Sequence, residues 1–165
     1  HAPGPQPSGI VRRPVAVDWF RLVVPRDDSL EDDPVDLATL GDRPFIASPT
    51  NMSCGRCVIQ ACREVGFEPA IRHQIDDYNA AMRLVAAGAG VALLPDLALV
   101  HGVPPGVRVL DLADPICRVI ELAHRTASSG RPGLEAVCDA VAEVAAEMKL
   151  DTHTPTLDRH RTPAA

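Results

Sequence analysis

Aromatic side chains are scarce in these 165 residues: Trp19, Phe20, Phe45, Phe67 and Tyr78 are the whole supply. A stacking platform for single-stranded nucleic acid needs aromatic faces, so that class is excluded. Lysine is scarcer still, with Lys149 alone, and the formal net charge of −6 excludes a free-standing binder of phosphate backbones. The longest apolar run, Leu84 to Pro95 (LVAAGAGVALLP), is too short to span a bilayer and holds two glycines, so no membrane partner is expected. The opening HAPGPQPSG lacks the basic-then-apolar pattern of an export signal, and its initial His points to processing or to a piece of something longer. Nucleophile elbow, P-loop and dinucleotide glycines are missing too. Gly88-x-Gly90 lacks the third glycine and follows a helical stretch. Neither an enzyme nor a cofactor is expected.

What is present is an aliphatic core. Apolar residues make up 46% of the chain, enough for one modest domain or two small lobes. Five cysteines, an odd number, do not form a secreted disulfide framework, which places the chain in the cytoplasm. Residues 1–10 and 151–165, rich in Pro, Gly and polar residues, read as mobile ends. Phe20–Val24 is a β-rich run closed by Pro25, and further strands are expected at Phe45–Ala47, Ala70–Ile75, Val91–Leu94, Val107–Leu112 and Cys117–Ala123.

Three helices alternate with these strands. Ser53 is a candidate cap for the first, whose Val58, Ala61, Cys62 and Val65 share a face before Gly66 ends it. Asp77 caps the second, with Ala81, Leu84, Val85 and Gly88 inward. Pro132 opens the last, where Leu134, Val137, Cys138, Val141, Val144, Ala145 and Met148 keep helical period. The alternation predicts an α/β protein with a mainly parallel sheet.

The order of segments carries a resemblance. FRLVVPRDDSL is followed by VDLATLGDRPFIASP, ACREVGFEPAI, the DDY of residues 76–78 and LVAAGAGVALLP, and RVIELAHR closes the series. Together they resemble the effector-binding domain of LysR-type transcriptional regulators over about residues 9 to 148. The Gly66–Pro69 segment and the Val-Ala-Ala-Gly-x-Gly element ending at Pro95 are the most telling parts. The resemblance implies a periplasmic-binding-protein-like (type II) fold, with two α/β lobes joined by two crossover strands. One lobe would be complete and the other partial. Residues 1–19 would be a flexible start and remnant of the first lobe, 20–25 and 117–125 the crossover strands, and 26–116 the complete second lobe. Residues 132–148 would be the last helix of the first lobe and 149–165 a disordered tail. It also implies a small-molecule effector bound between lobes, self-association into dimers or tetramers, and DNA contact only through a helix-turn-helix that these residues do not include. The final helix would then leave its apolar stripe exposed.

Ligands of doubly wound folds sit at the carboxyl ends of strands, where loops enter helices. One such loop is Ser48-Pro49-Thr50-Asn51-Met52-Ser53, whose hydroxyls, amide and free backbone N–H groups suit an anion such as a carboxylate. The other is Leu94-Pro95-Asp96. The bland alternative is that Ser53 caps, Thr50 stabilises a turn and Pro95 ends a strand. For the Asp76–Asp77 pair the cap explains the residues better than acid–base chemistry. The acidic run from Asp27 to Asp33 lacks the pivot glycine of a calcium loop and reads as a solvated turn.

Cys54-Gly55-Arg56-Cys57 is the rival signal. A C-x-x-C at a helix start, with a cation between the thiols, is the setting of thiol–disulfide chemistry. It raises a redox sensor or oxidoreductase as an alternative, beside a stand-alone solute-binding protein. Cys62 joins them within nine residues but falls on the apolar face, and none of the six histidines has zinc-ligand spacing to the group. No metal is expected.

Overall fold

The computed structural model describes residues 8–148. It contains six strands and three helices: β1 (Ile10–Pro25), β2 (Pro44–Ala47), α1 (Ser53–Glu64), β3 (Ala70–Gln74), α2 (Tyr78–Ala86), β4 (Ala92–Pro95), β5 (Val107–Leu110), β6 (Cys117–Arg125) and α3 (Pro132–Glu147). These residues fall into two compact units. One is Trp19–Arg118; the other joins the residues up to Asp18 with those from Val119 onward. The strand at the start is far longer than Phe20–Val24 and runs from Ile10 to Pro25. Residues 1–7 of the start predicted to be mobile, and all of the predicted tail 149–165, lie outside the described residues.

At the centre of the Trp19–Arg118 unit, β1, β2 and β4 are apolar on both faces, because a helix covers each side. Alternation sorts the side chains. Leu22 and Val24 of β1, Phe45 of β2, and Val91 and Leu93 pack with Val58, Ala61 and Cys62 of α1. Val23, Ile46, Ala92 and Leu94 face the other way, onto Ala81, Met82 and Val85 of α2. Met82 thus fills the core place expected for Leu84, which stays at its margin.

The sheet is mixed, not mainly parallel. β2 pairs parallel with β3, and Phe45 bridges Val91 in the same sense. β1, however, runs antiparallel to both β4 and β5. The βαβ argument governs only strands joined by a crossover helix. β1 enters from the other unit, so no such connection dictates its direction.

The glycines of the Val-Ala-Ala-Gly-x-Gly element have two separate jobs. Gly88, at φ +76°, takes the left-handed turn that ends α2. Gly90 lets β4 meet β2: a Cβ there would lie 2.4 Å from the Pro44 carbonyl oxygen, which accepts the Val91 N–H at 2.9 Å.

In the other unit, α3 buries Cys138 and Ala145 and leaves Val137, Val141, Val144 and Met148 exposed among the described residues. Its periodicity was legible; one stripe of it stays uncovered here.

Candidate functional site

The Ser48–Ser53 loop leaves β2 at the carboxyl end of the sheet and turns at Pro49–Met52, where the Met52 N–H donates to the Pro49 carbonyl at 2.9 Å. That turn places Met52, not Ser53, at the N-cap of α1, in extended backbone and with no side-chain cap. Ser53 is the first helical residue. The capping explanation for Ser53 therefore falls, and the N-cap side chain offers the first amides of α1 no acceptor. Ser48 and Pro49 are half-buried, whereas Thr50, Asn51 and Ser53 are exposed.

Gly55 locks the loop to the helix. A Cβ there would sit 2.3 Å from the Ser48 carbonyl oxygen and 2.4 Å from that of Pro49. Only a glycine permits this approach of two backbones. The C-x-x-C spacing therefore carries a packing constraint at its second position as well as two thiols.

At the second predicted place, Pro95 is buried and pairs with Phe20 across β1 and β4. Asp96 is held by Arg21 in a bidentate pair, Nε to Oδ1 at 2.8 Å and Nη2 to Oδ2 at 3.0 Å. Arg21 also bonds Asp111. The hydrogen bonds that Arg21 donates to Asp96 raise its pKa, and burial opposes them. Asp96 is thus occupied within its own unit. A shallow cavity of about 360 Å³ opens beside this network, between Trp19, Pro34, Leu112 and Pro115.

The polar centre near the loop comes from residues the sequence did not single out. Arg118, at the start of β6, donates from Nη1 to the Cys54 sulfur at 2.7 Å. The Tyr78 hydroxyl, on the first residue of α2, lies 3.1 Å from the same sulfur and also bonds the Arg118 guanidinium. Burial pushes the Tyr78 hydroxyl above its ordinary pKa, and the bond to Cys54 adds to that. Arg56, the cation expected between the thiols, turns away instead and donates to the Asn51 carbonyl at 2.9 Å. The cation of this cluster is 64 residues distant in sequence. No local spacing could reveal it.

The other expected roles resolve simply. Asp77 caps α2, accepting the Ala80 N–H at 2.9 Å. In the acidic run, Asp28 pairs with Arg43 and accepts the Leu30 N–H; burial opposes its ionisation, but these partners hold its carboxyl below the usual range. His73 lies in β3. Cys57 is half-buried, and burial pushes its thiol up. Cys62 is fully buried, its thiol pushed up to about 12 by the same cause.

Folding keeps the Cys62 and Cys57 protons bound at pH values where the unfolded chain, with thiols near about 8.5, releases them. Their contribution is complete below that value and is lost as pH rises from there toward the folded-state values. Urea midpoints in reducing buffer are expected to fall between pH 8 and pH 10.5. In Cys62→Ala the midpoint is lower throughout but falls less steeply; an unchanged slope would remove Cys62 as a cause.

A sheet lobe that gathers a loop, an uncapped helix start, a guanidinium and a phenol at the carboxyl ends of its strands is built as a ligand-binding α/β domain. The chain belongs to the LysR substrate binding domain family, whose pattern it matches over residues 1–146. The regulator ShiR of Corynebacterium glutamicum (strain R) is 32% identical over 145 residues, covering 82% of this chain and 46% of ShiR. The chain therefore spans about half the length of that relative. Among solved structures, the regulatory domain of Synechocystis CcmR in complex with 2-PG superposes with a TM-score of 0.75 at 18% identity, over 86% of this chain and 70% of that one. The effector-binding domain of QuiR in complex with shikimate gives 0.70 at 22% identity, over 84% and 66%. The fold is the periplasmic-binding-protein-like type II fold of LysR effector-binding domains.

Proposed function

We propose that this chain is the ligand-sensing part of a LysR-type transcriptional regulator, taking a small carboxylate at the Ser48–Ser53 loop. The observation that carries the reading is the arrival of Arg118 at the start of α1. It brings a guanidinium to a loop whose helix amides lack a side-chain cap. The family match and the shikimate complex of QuiR support the ligand class, shikimate being a hydroxylated carboxylic acid. Ser48, Thr50, Asn51 and Ser53 would surround the ligand's polar groups, and Pro95 would close the apolar side, with Asp96 fixing Arg21.

In this reading nothing is chemically transformed. Binding shifts a conformational population, and a helix-turn-helix segment of the whole regulator reads that shift at DNA. Residues 26–116 act as the effector lobe, with 20–25 and 117–125 as crossover strands. The regulator works in the cytoplasm as a homodimer or tetramer. No described helix is long and apolar enough to cross a membrane.

Thermal unfolding in the presence of small carboxylates, shikimate first, tests the ligand class. A ligand at about one hundred times its Kd stabilises by about 2.7 kcal/mol, a readily measured rise in Tm. The methyl ester is expected to lose the effect, and Arg118→Met to lose it with the acid. Esters that bind as well as acids would rule out a carboxylate.

A further inference from the structure

The C-x-x-C pair is not used by ligand sensing, yet its first sulfur is the meeting point of a guanidinium and a phenol. Cys54 is 7% exposed, with Arg118 Nη1 at 2.7 Å and the Tyr78 hydroxyl at 3.1 Å. Cys57 follows on the same face of α1, about 5 Å away between Cα atoms for a regular helix. A disulfide accepts that separation. We propose that Cys54 and Cys57 form an oxidisable pair, in which Cys54 reacts with a hydroperoxide and Cys57 closes a disulfide.

The thiols differ in what surrounds them. Cys62 is sealed in the core under α1, and Cys138 is buried in α3. Cys54 has a guanidinium and a hydroxyl directed at it. Its low exposure selects a small oxidant, since a bulky disulfide cannot align with a sulfur so enclosed. In the first step the Cys54 sulfur attacks one peroxide oxygen, so an S–O bond forms and the O–O bond breaks. The departing oxygen leaves with the electron pair, accepts an N–H bond from Arg118 and takes up the thiol proton as water. Sulfur has lost two electrons and the peroxide has gained them.

In the second step Cys57 attacks the sulfenic sulfur. The S–S bond forms, the S–O bond breaks, and hydroxide departs with the Cys57 proton as a second water. Burial keeps that proton on Cys57 until the attack, which suits a resolving rather than an initiating thiol. The disulfide lies across the turn that Gly55 clamps to Ser48 and Pro49, so oxidation acts on the loop at its attachment.

The test uses the whole reduced chain, equimolar hydrogen peroxide, alkylation of the remaining thiols and peptide mass mapping. The expected result is loss of two hydrogens, two fewer alkylated cysteines and a Cys54–Cys57 link. Cys57→Ser is expected to stop at a Cys54 sulfenic acid that dimedone traps. Arg118→Met is expected to slow Cys54 oxidation at least about tenfold while alkylation of Cys117 keeps its rate. The wild-type map needs no variant to fold. Oxidation spread evenly over the five cysteines, or a link that omits Cys54, overturns the proposal. Because the readout is mass, a failure here is distinct from a failure to bind carboxylates.

Discussion

Gly55→Ala is expected to lower the unfolding free energy of the Trp19–Arg118 unit by about 2 kcal/mol, although alanine is the better helix former. Helix propensity favours the change by about 1 kcal/mol. Against it stands a Cβ placed 2.3 Å and 2.4 Å from two backbone carbonyl oxygens. Those oxygens belong to a turn fixed by the Met52–Pro49 hydrogen bond, so no flexible side chain can yield. Overpacking of this kind costs about 3 kcal/mol, and the clash outweighs the propensity. Gly133→Ala is the matched control: it also lies in the first turn of a helix, but its Cβ would meet nothing within 4 Å. Urea unfolding of the two variants should differ in sign or nearly so. Equal stabilities would mean that α1 does not approach Ser48 and Pro49 as described. A ligand at this loop should also bind Gly55→Ala more weakly, because the turn must move.

Phe45→Ala is expected to cost about 3–5 kcal/mol, the range for deleting a buried ring. Phe45 is fully buried, and its ring is tilted against Phe67 with centroids 6.0 Å apart. Its backbone bridges Val91, so the residue ties β2 to β4 beneath α1. Beyond Phe67 the neighbours in this close-packed core are mostly aliphatic, and little can swing in to fill the space. Domains have about 5–15 kcal/mol of stability in all, so this variant should melt far below the parent or stay unfolded. Phe45→Leu, which keeps most of the volume, should cost less than about half as much. A Phe45→Ala midpoint within 1 kcal/mol of the parent would contradict the packing described for this face.

The elements themselves were largely readable. Asp77 before an apolar helical period marks the start of α2, and Gly66 and Gly88 mark helix ends because only they accept the left-handed turn without strain. Runs such as VALLP and FRLVV are strands buried on both sides, so they lack alternation and still read correctly from β-branched content and flanking breakers. The loop at Ser48–Ser53 was legible as a place, since a strand end followed by a helix start is local information.

What the sequence determined alone was therefore local: the order of strands and helices, the cap of α2, the apolar stripe of α3 and the family pattern spread along the chain. Direction and partnership were decided by the tertiary structure. β1 turns the sheet mixed because a strand arriving from another unit obeys no crossover rule. The start of α1 is set by a turn at Pro49–Met52 rather than by the hydroxyl at Ser53. Cys54 acquires Arg118 and Tyr78, not its sequence neighbour Arg56, because hydrogen bonds and charges act over a few ångströms of space while a motif records only distance along the chain.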